Sequence, residues 1–184
     1  FDGFDLYKWI VLQLPQIPQA NQNDLVNIVR SSPPIAPHGR CRAEPAHLDF
    51  ALVRTAKQNE RKKDTALEGL RVAHVRVLFR LPAIYQVKSM HPLAYVEWFT
   101  LFGPIDAPTG MYSIKPSTRN HHPYGKIIKV NRIVQSCHLH PKFGRVKDPG
   151  WTAENVTERC KGFHVSPYSD IHAFCLFKLD MRST

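Results

Sequence analysis

Residues Leu70–Leu81 read LRVAHVRVLFRL, and Pro82 follows. Ala73, Val75, Val77 and Phe79 occupy every second place, the repeat that turns side chains to one side of a pleated strand. His74, Arg76 and Arg80 then share the other side with Val72 and Leu78. Proline has no N–H to donate to a ladder, so the strand stops at Pro82.

Outward from this strand the same signals recur. Ala94–Phe102 (AYVEWFTLF) is rich in aromatic and β-branched residues and reads as a second strand. Gly103-Pro104 and Pro108-Thr109-Gly110 mark turns after it, and Met111–Lys115 is a third, short strand. Lys126–Val134 (KIIKVNRIV) sets Ile128, Val130 and Val134 against Lys129 and Asn131, with an interruption at Arg132. Ser136–Phe143 continues with Cys137 and Leu139 on one side and His138 and His140 on the other. Upstream, Leu6–Leu14, Asp24–Arg30 and His47–Val53 have strand character. Gln13–Asn23 reads as a loop, and Ser31–Arg40, with Pro33, Pro34 and Pro37, as an extended linker. Thr55–Gly69 is polar without a consistent apolar stripe, an insertion. A short helix is expected beyond Thr152 as its cap, with Glu154 near its positive end and Val156 and Cys160 on one face. Ala173–Leu179 (AFCLFKL) reads as a buried closing strand.

The expected fold is therefore mainly β: a small β-barrel or sandwich-like domain with one or two short helices and a long Pro-rich N-terminal segment. The chain divides into a strand-containing N-terminal segment and linker over 1–53, a polar insertion over 54–69, and a β-rich domain over 70–184. Fifteen prolines in 184 residues exceed the ~5% average and disfavour a helix bundle. At 43% hydrophobic and 22% charged the composition is globular. The longest apolar runs, Trp9–Leu12 and Ala173–Phe177, are far short of a membrane span, so no membrane partner is expected. The opening Phe1-Asp2-Gly3-Phe4-Asp5 has no initiator Met and no signal-peptide pattern, as expected of a fragment of a longer protein. Four cysteines (Cys41, Cys137, Cys160 and Cys175) make no disulfide framework, so a reduced, intracellular setting is expected.

The net charge of +10 is unevenly spread. Residues 107–147 hold eight basic side chains and no acid, whereas residues 148–184 sum to −1. Lys115, Arg119, Lys126, Lys129, Arg132, Lys142 and Arg145 are the expected phosphate contacts of this segment, with Lys147 alongside. Such a cluster steers a polyanion and gains from counterion release, which points to DNA or another polyanion as partner. Tyr112, Tyr124 and Phe143 are placed to stack bases. Trp98 with Tyr95, Phe99 and Tyr112 would form a cage for a methylated lysine, or Trp98, Phe99 and Phe102 would instead fill the core.

Catalytic chemistry is poorly represented. No Gly-x-Ser-x-Gly, no phosphate-cradling glycine loop and no His-Glu-x-x-His occurs. Cys137, His140, Cys160 and His164 have zinc-type spacings, but Cys137 and His140 fall on opposite faces of a regular strand. Cofactors are therefore expected to be none. Asn155-Val156-Thr157 matches a glycosylation sequon by chance.

Several phrases resemble one family. Leu70–Leu81 with its proline, Leu93–Phe99 (LAYVEWF), Gly110–Arg119 (GMYSIKPSTR) and Ile127–Gly144 (IIKVNRIVQSCHLHPKFG) resemble the C-terminal region of fungal Plavaka-type, CACTA-like transposases. Phe4–Pro15 and Arg42–Val53 resemble the segment leading into that region, and Asn155–Phe177 its end. A second likeness, Val96–Phe99 (VEWF) followed by Val130–Leu139 (VNRIVQSCHL), is to bromo-adjacent-homology domains, small β-barrels that contact chromatin proteins. The first resemblance implies a transposon-encoded nuclear protein whose catalysis uses three acids and two metals on an RNase-H-like fold. The central acids here, Asp49, Glu60, Asp64, Glu68, Glu97 and Asp106, lack an alternating strand–helix series around them, so the catalytic core is expected upstream.

The expected function is that of a non-catalytic accessory domain binding nucleic acid through a basic surface without strong sequence readout. The alternative is a chromatin-type interaction module that binds a histone tail or the upstream transposase domains. A zinc-dependent enzyme or zinc-stabilised fold is the third expectation.

Overall fold

A computed structural model describes residues 3–17, 25–55, 67–85, 91–144, 148–152 and 155–179. Most of the Thr55–Gly69 insertion, the second half of the Gln13–Asn23 loop, Glu154, Arg145 and Lys147 lie outside the described residues. The strands are β1 (Asp5–Tyr7), β2 (Trp9–Leu14), β3 (Leu25–Ser32), β4 (His47–Leu48), β5 (Phe50–Arg54), β6 (Leu70–Arg80) and β7 (Leu93–Trp98). Then come β8 (Ile105–Asp106), β9 (Met111–Ile114), β10 (Thr118–Arg119), β11 (His122–Pro123), β12 (Gly125–Lys129), β13 (Ile133–Pro141) and β14 (Phe163–Ser166). Two short helices, α1 (Val156–Arg159) and α2 (Ile171–Phe174), complete a mainly β fold.

β6, the strand of Leu70–Leu81, is central. One edge pairs with β7; the other pairs first with β5 and then, from Leu78 to Arg80, with β1. The strict alternation expected along it breaks at Arg76, where the register with β7 slips by one residue. A bulge of this kind returns the next side chain to the face just left. So Leu78, not Val77, joins Ala73 and Val75 in one core cluster, while Val77 is exposed.

β13 is the second long strand and also carries a bulge, between Ile133 and Gln135. Its first half pairs with β5 and its second half with β14, which in turn pairs with β9. The main sheet thus runs β12-β7-β6-β5-β13-β14-β9-β8, an open path and not the closed barrel entertained from the sequence. The chain beyond β7 does meet the chain beyond β9, at a single Phe99↔Pro116 bridge with Thr100 N–H to Lys115 O at 2.8 Å and Ser117 N–H to Trp98 O at 2.8 Å. Pro116 has no N–H to extend that contact into a ladder.

Two hydrophobic clusters lie on the two sides of β5 and β6. Ala51, Val53, Ala73, Val75, Ala94, Val96, Trp98 and Ile128 form the first, closed by Val29, Ile10 and Leu12 of the β2–β3 hairpin. Leu52, Val72, Phe99, Ile114, Cys137, Leu139, Phe163, Val165 and Phe177 form the second. The hairpin is clipped to β13 by Asn27, whose amide donates to Ser136 Oγ at 2.9 Å and accepts from Ser136 N–H at 2.7 Å. Its outer face leaves Trp9, Val11, Val26 and Ile28 exposed.

Three local expectations are corrected. Lys126–Val134 is two strands, because a 3-10 turn over Val130–Arg132 separates β12 from β13. Ala173–Leu179 is helical: the Asp170 carboxylate accepts from Ala173 N–H at 2.8 Å and caps α2, which runs into a π-helical turn over Cys175–Leu179. Ala173 and Phe177 are one turn apart and both buried, so the apolar run serves a helix face. Finally, Asn155 and not Thr152 is the N-cap residue of α1, while Thr152 accepts from Asn155 N–H at 3.3 Å.

Candidate functional site

The acid-free segment does not stay together when the chain folds. Lys126 and Lys129 lie on the edge strand β12, an odd number of residues apart and therefore on opposite faces. The Arg132 guanidinium is turned inward, donating to Arg54 O at 2.8 Å and Thr55 O at 2.6 Å. Arg119 sits in the separate β10–β11 hairpin. Of the seven expected contacts, only Lys115 and Lys142 come together, and Arg145 lies outside the described residues.

These two lysines line a cleft of about 610 Å³ with Gly144, Asp148, Trp151, Arg159, Lys161 and Gly162. Strand pairing brings them there. Lys115 directly follows β9, and its backbone is held by Thr100, whose N–H donates to Lys115 O at 2.8 Å and whose hydroxyl accepts from Lys115 N–H at 3.2 Å. Lys142 directly follows β13, and its N–H donates to Gly162 O at 2.9 Å. A β-carbon added at Gly162 would meet the Lys142 stem at 3.5 Å and the Lys115 stem at 3.9 Å, so both stems flank this glycine. Lys161 precedes it in a turn anchored by the buried Cys160, whose thiol donates to Gly162 O at 2.9 Å.

The far wall is built by α1 and the turn before it. Gly150 N–H donates to Asp148 Oδ1 at 2.8 Å, and Arg159 Nη1 and Asn155 Nδ2 both donate to Gly150 O, at 2.9 and 3.0 Å. Arg159 also faces Asp148 at 3.6 Å, a solvent-exposed pair of little energetic weight. α1 is tied back to the sheet through Glu158, which pairs at 2.7 Å with Arg76, the bulge residue of β6; Arg76 in turn reaches Glu97 at 3.0 Å. Among the described residues, four cations and one carboxylate thus line the cleft. The Lys142 ammonium donates to Ser113 Oγ at 2.5 Å, while Lys115 and Lys161 have no side-chain partner among the described residues. Trp151 borders the cleft with its ring centroid 5.8 Å from that of Phe143.

His164, on β14 opposite His140 and Ser113, belongs to the polar surface near Lys142. Burial first, then the Lys142 charge, holds its imidazole below the usual range. Asp106 is held below the usual carboxylate range by its hydrogen bond from the Thr109 hydroxyl at 2.7 Å.

The expected aromatic contacts go elsewhere. Trp98 is 5% exposed and joins the first cluster, the core alternative left open by the sequence. Tyr124 packs against the same cluster, and Arg71 stacks over both rings at 5.4 and 5.7 Å. Tyr112 packs with Phe102 and Phe177 at the second cluster. The zinc-type set is likewise divided. Cys137 is buried on the inner face of β13, with its thiol pushed well above the usual range by burial and by Asp49, whereas His140 is exposed on the other face. Among the described residues no group of three or more His, Cys, Asp or Glu side chains is placed to hold a metal ion.

Arg159 and Lys161 escaped the sequence reading because their stretch carries more acid than base. The available signal was Arg-Cys-Lys-Gly at 159–162, two cations beside a glycine turn. No protein-family model, no curated protein and no solved structure matches the chain.

Proposed function

We propose that this chain is a non-catalytic accessory module of a transposon-encoded nuclear protein and that it holds nucleic acid by its phosphates, without strong sequence readout. The observation that carries the reading is the convergence of Lys115, Lys142, Arg159 and Lys161 on one cleft, with Asp148 the single acid lining it among the described residues. A phosphate chain laid there replaces condensed counterions with fixed cations, and it meets the two ammonium groups that lack side-chain partners among the described residues. The transposase-like phrases from Leu70 to Gly144 supply the cellular setting. α1 has four residues, and α2 with the π-helical turn that continues it is packed on the second cluster through Ala173 and Phe177, so neither is a free reading element for a major groove, which supports backbone binding over base recognition.

The test compares two double charge reversals that alter total charge equally. Lys115→Glu with Lys161→Glu is expected to weaken binding to a labelled DNA about thirtyfold, and to shallow the log K against log salt slope by about 1.4–1.8. Lys126→Glu with Lys129→Glu is expected to stay within about threefold of the parent, since only the long-range field changes. Equal losses from the two pairs, or no binding by the parent at ~50 mM salt, would overturn the proposal.

A further inference from the structure

We infer that the cleft takes single-stranded nucleic acid in preference to duplex, with an unstacked base laid on Phe143 beside Trp151 and the neighbouring phosphates on Lys115 and Lys161. The inference rests on the nucleic-acid reading above and adds the form of the ligand. Its basis is an aromatic pair set among the cations. Phe143 is 58% exposed, whereas Trp98, Phe99, Phe163 and Phe177 are all buried in the two clusters. Phe143 is therefore not held by the core, and its ring contact is to Trp151. Phe143 does not line the cleft itself, but its ring lies 5.8 Å from that of Trp151, which does, so the exposed ring stands beside the rim.

Trp151 differs from Phe143 in being half-buried against the second cluster, which gives the exposed ring a fixed neighbour. The two ring planes meet at 46°, so a flat base can lie parallel to only one of them, and the exposed Phe143 is the accessible face. Such contact requires a base free of its own stack, a condition met by a single strand and not by intact duplex.

Fluorescence anisotropy with the whole chain and three probes tests this: a labelled dT12, an abasic 12-mer with the same phosphates, and a 12-bp duplex. The expected result is that dT12 binds about tenfold tighter than either other probe. Phe143→Leu is expected to remove most of that advantage without changing duplex affinity, and Phe143→Tyr to retain it. Because Phe143 is exposed, neither change disturbs the core. Equal affinity for dT12 and the abasic strand, or an unchanged dT12 affinity in Phe143→Leu, overturns the inference. If all three probes bind alike and Lys115→Glu with Lys161→Glu still weakens them, nucleic-acid binding stands and the single-strand preference falls. If no probe binds, the underlying reading falls as well.

Discussion

The basic residues of this protein form two populations that look alike in the sequence and differ in the fold. Lys115 and Lys142 follow the two strands that flank β14 and line one cleft with Arg159 and Lys161, whereas Lys126 and Lys129 lie on opposite faces of an edge strand. Arg132 belongs to neither, since two backbone carbonyls hold its guanidinium. A high local density of positive charge is thus no site until strand pairing aims the side chains at one volume.

Acid gives the largest separation, because it acts on the support of the cleft and not on β12. His74 is buried on β6, with its ring tilted against Phe50 at a centroid distance of 4.5 Å. Burial first, and the Arg76 charge second, pushes its imidazole down to about 4 from an ordinary 6.5. The unfolded chain therefore takes up the proton first as pH falls. The stability gained from keeping His74 neutral is whole above about pH 6.5 and drains away as pH falls toward 4, a loss of about 3 kcal/mol. Denaturant melts across that window are expected to show the decline, and His74→Phe to flatten it.

Next in size is Arg132→Ala, which removes charged donors from two carbonyls and is expected to cost about 2 kcal/mol of stability. Its nucleic-acid affinity, measured where the variant is folded, stays near that of the parent, while Lys129→Ala changes stability by under ~0.5 kcal/mol. A smaller effect sets support against simple charge. Glu158→Ala deletes an acid one residue from Arg159, so a charge count calls for tighter binding. Loss of the tie to Arg76 instead leaves α1 unanchored, and an affinity about threefold weaker is expected in the titration. Smallest is Asp148→Asn, which neutralises a carboxylate lining the cleft while keeping an acceptor for Gly150 N–H. About twofold tighter binding is expected at low salt, vanishing near 0.5 M as screening shortens the field.

Most strands were legible because their β-branched and aromatic residues sit between prolines and glycines, as in Leu70–Leu81 and in Ala94–Phe102, of which the strand keeps the part up to Trp98. The bulge at Arg76 was not, since one extra residue leaves the composition unchanged while flipping every face beyond it. The run Ala173–Leu179 misled because an unbroken apolar stretch has no period, and the decisive group was the capping Asp170 before it. Half of the cleft was legible as charge. Arg159 and Lys161 were hidden by Glu158 and Asp148, which cancel them in a running sum. In space the Glu158 carboxylate is committed to Arg76, so the cancellation on paper is not a cancellation at the site.

The outer face of the β2–β3 hairpin has a consequence for handling the protein. An indole and three aliphatic side chains, Trp9, Val11, Val26 and Ile28, face water there on an edge-containing sheet. Mutual repulsion between molecules carrying +10 keeps such faces apart at low ionic strength. Strong brine, the usual means of stripping co-purified polynucleotide, cancels that repulsion and strengthens apolar adhesion in the same step. Samples cleaned in this way are therefore expected to turn cloudy at concentrations that remain clear in dilute buffer.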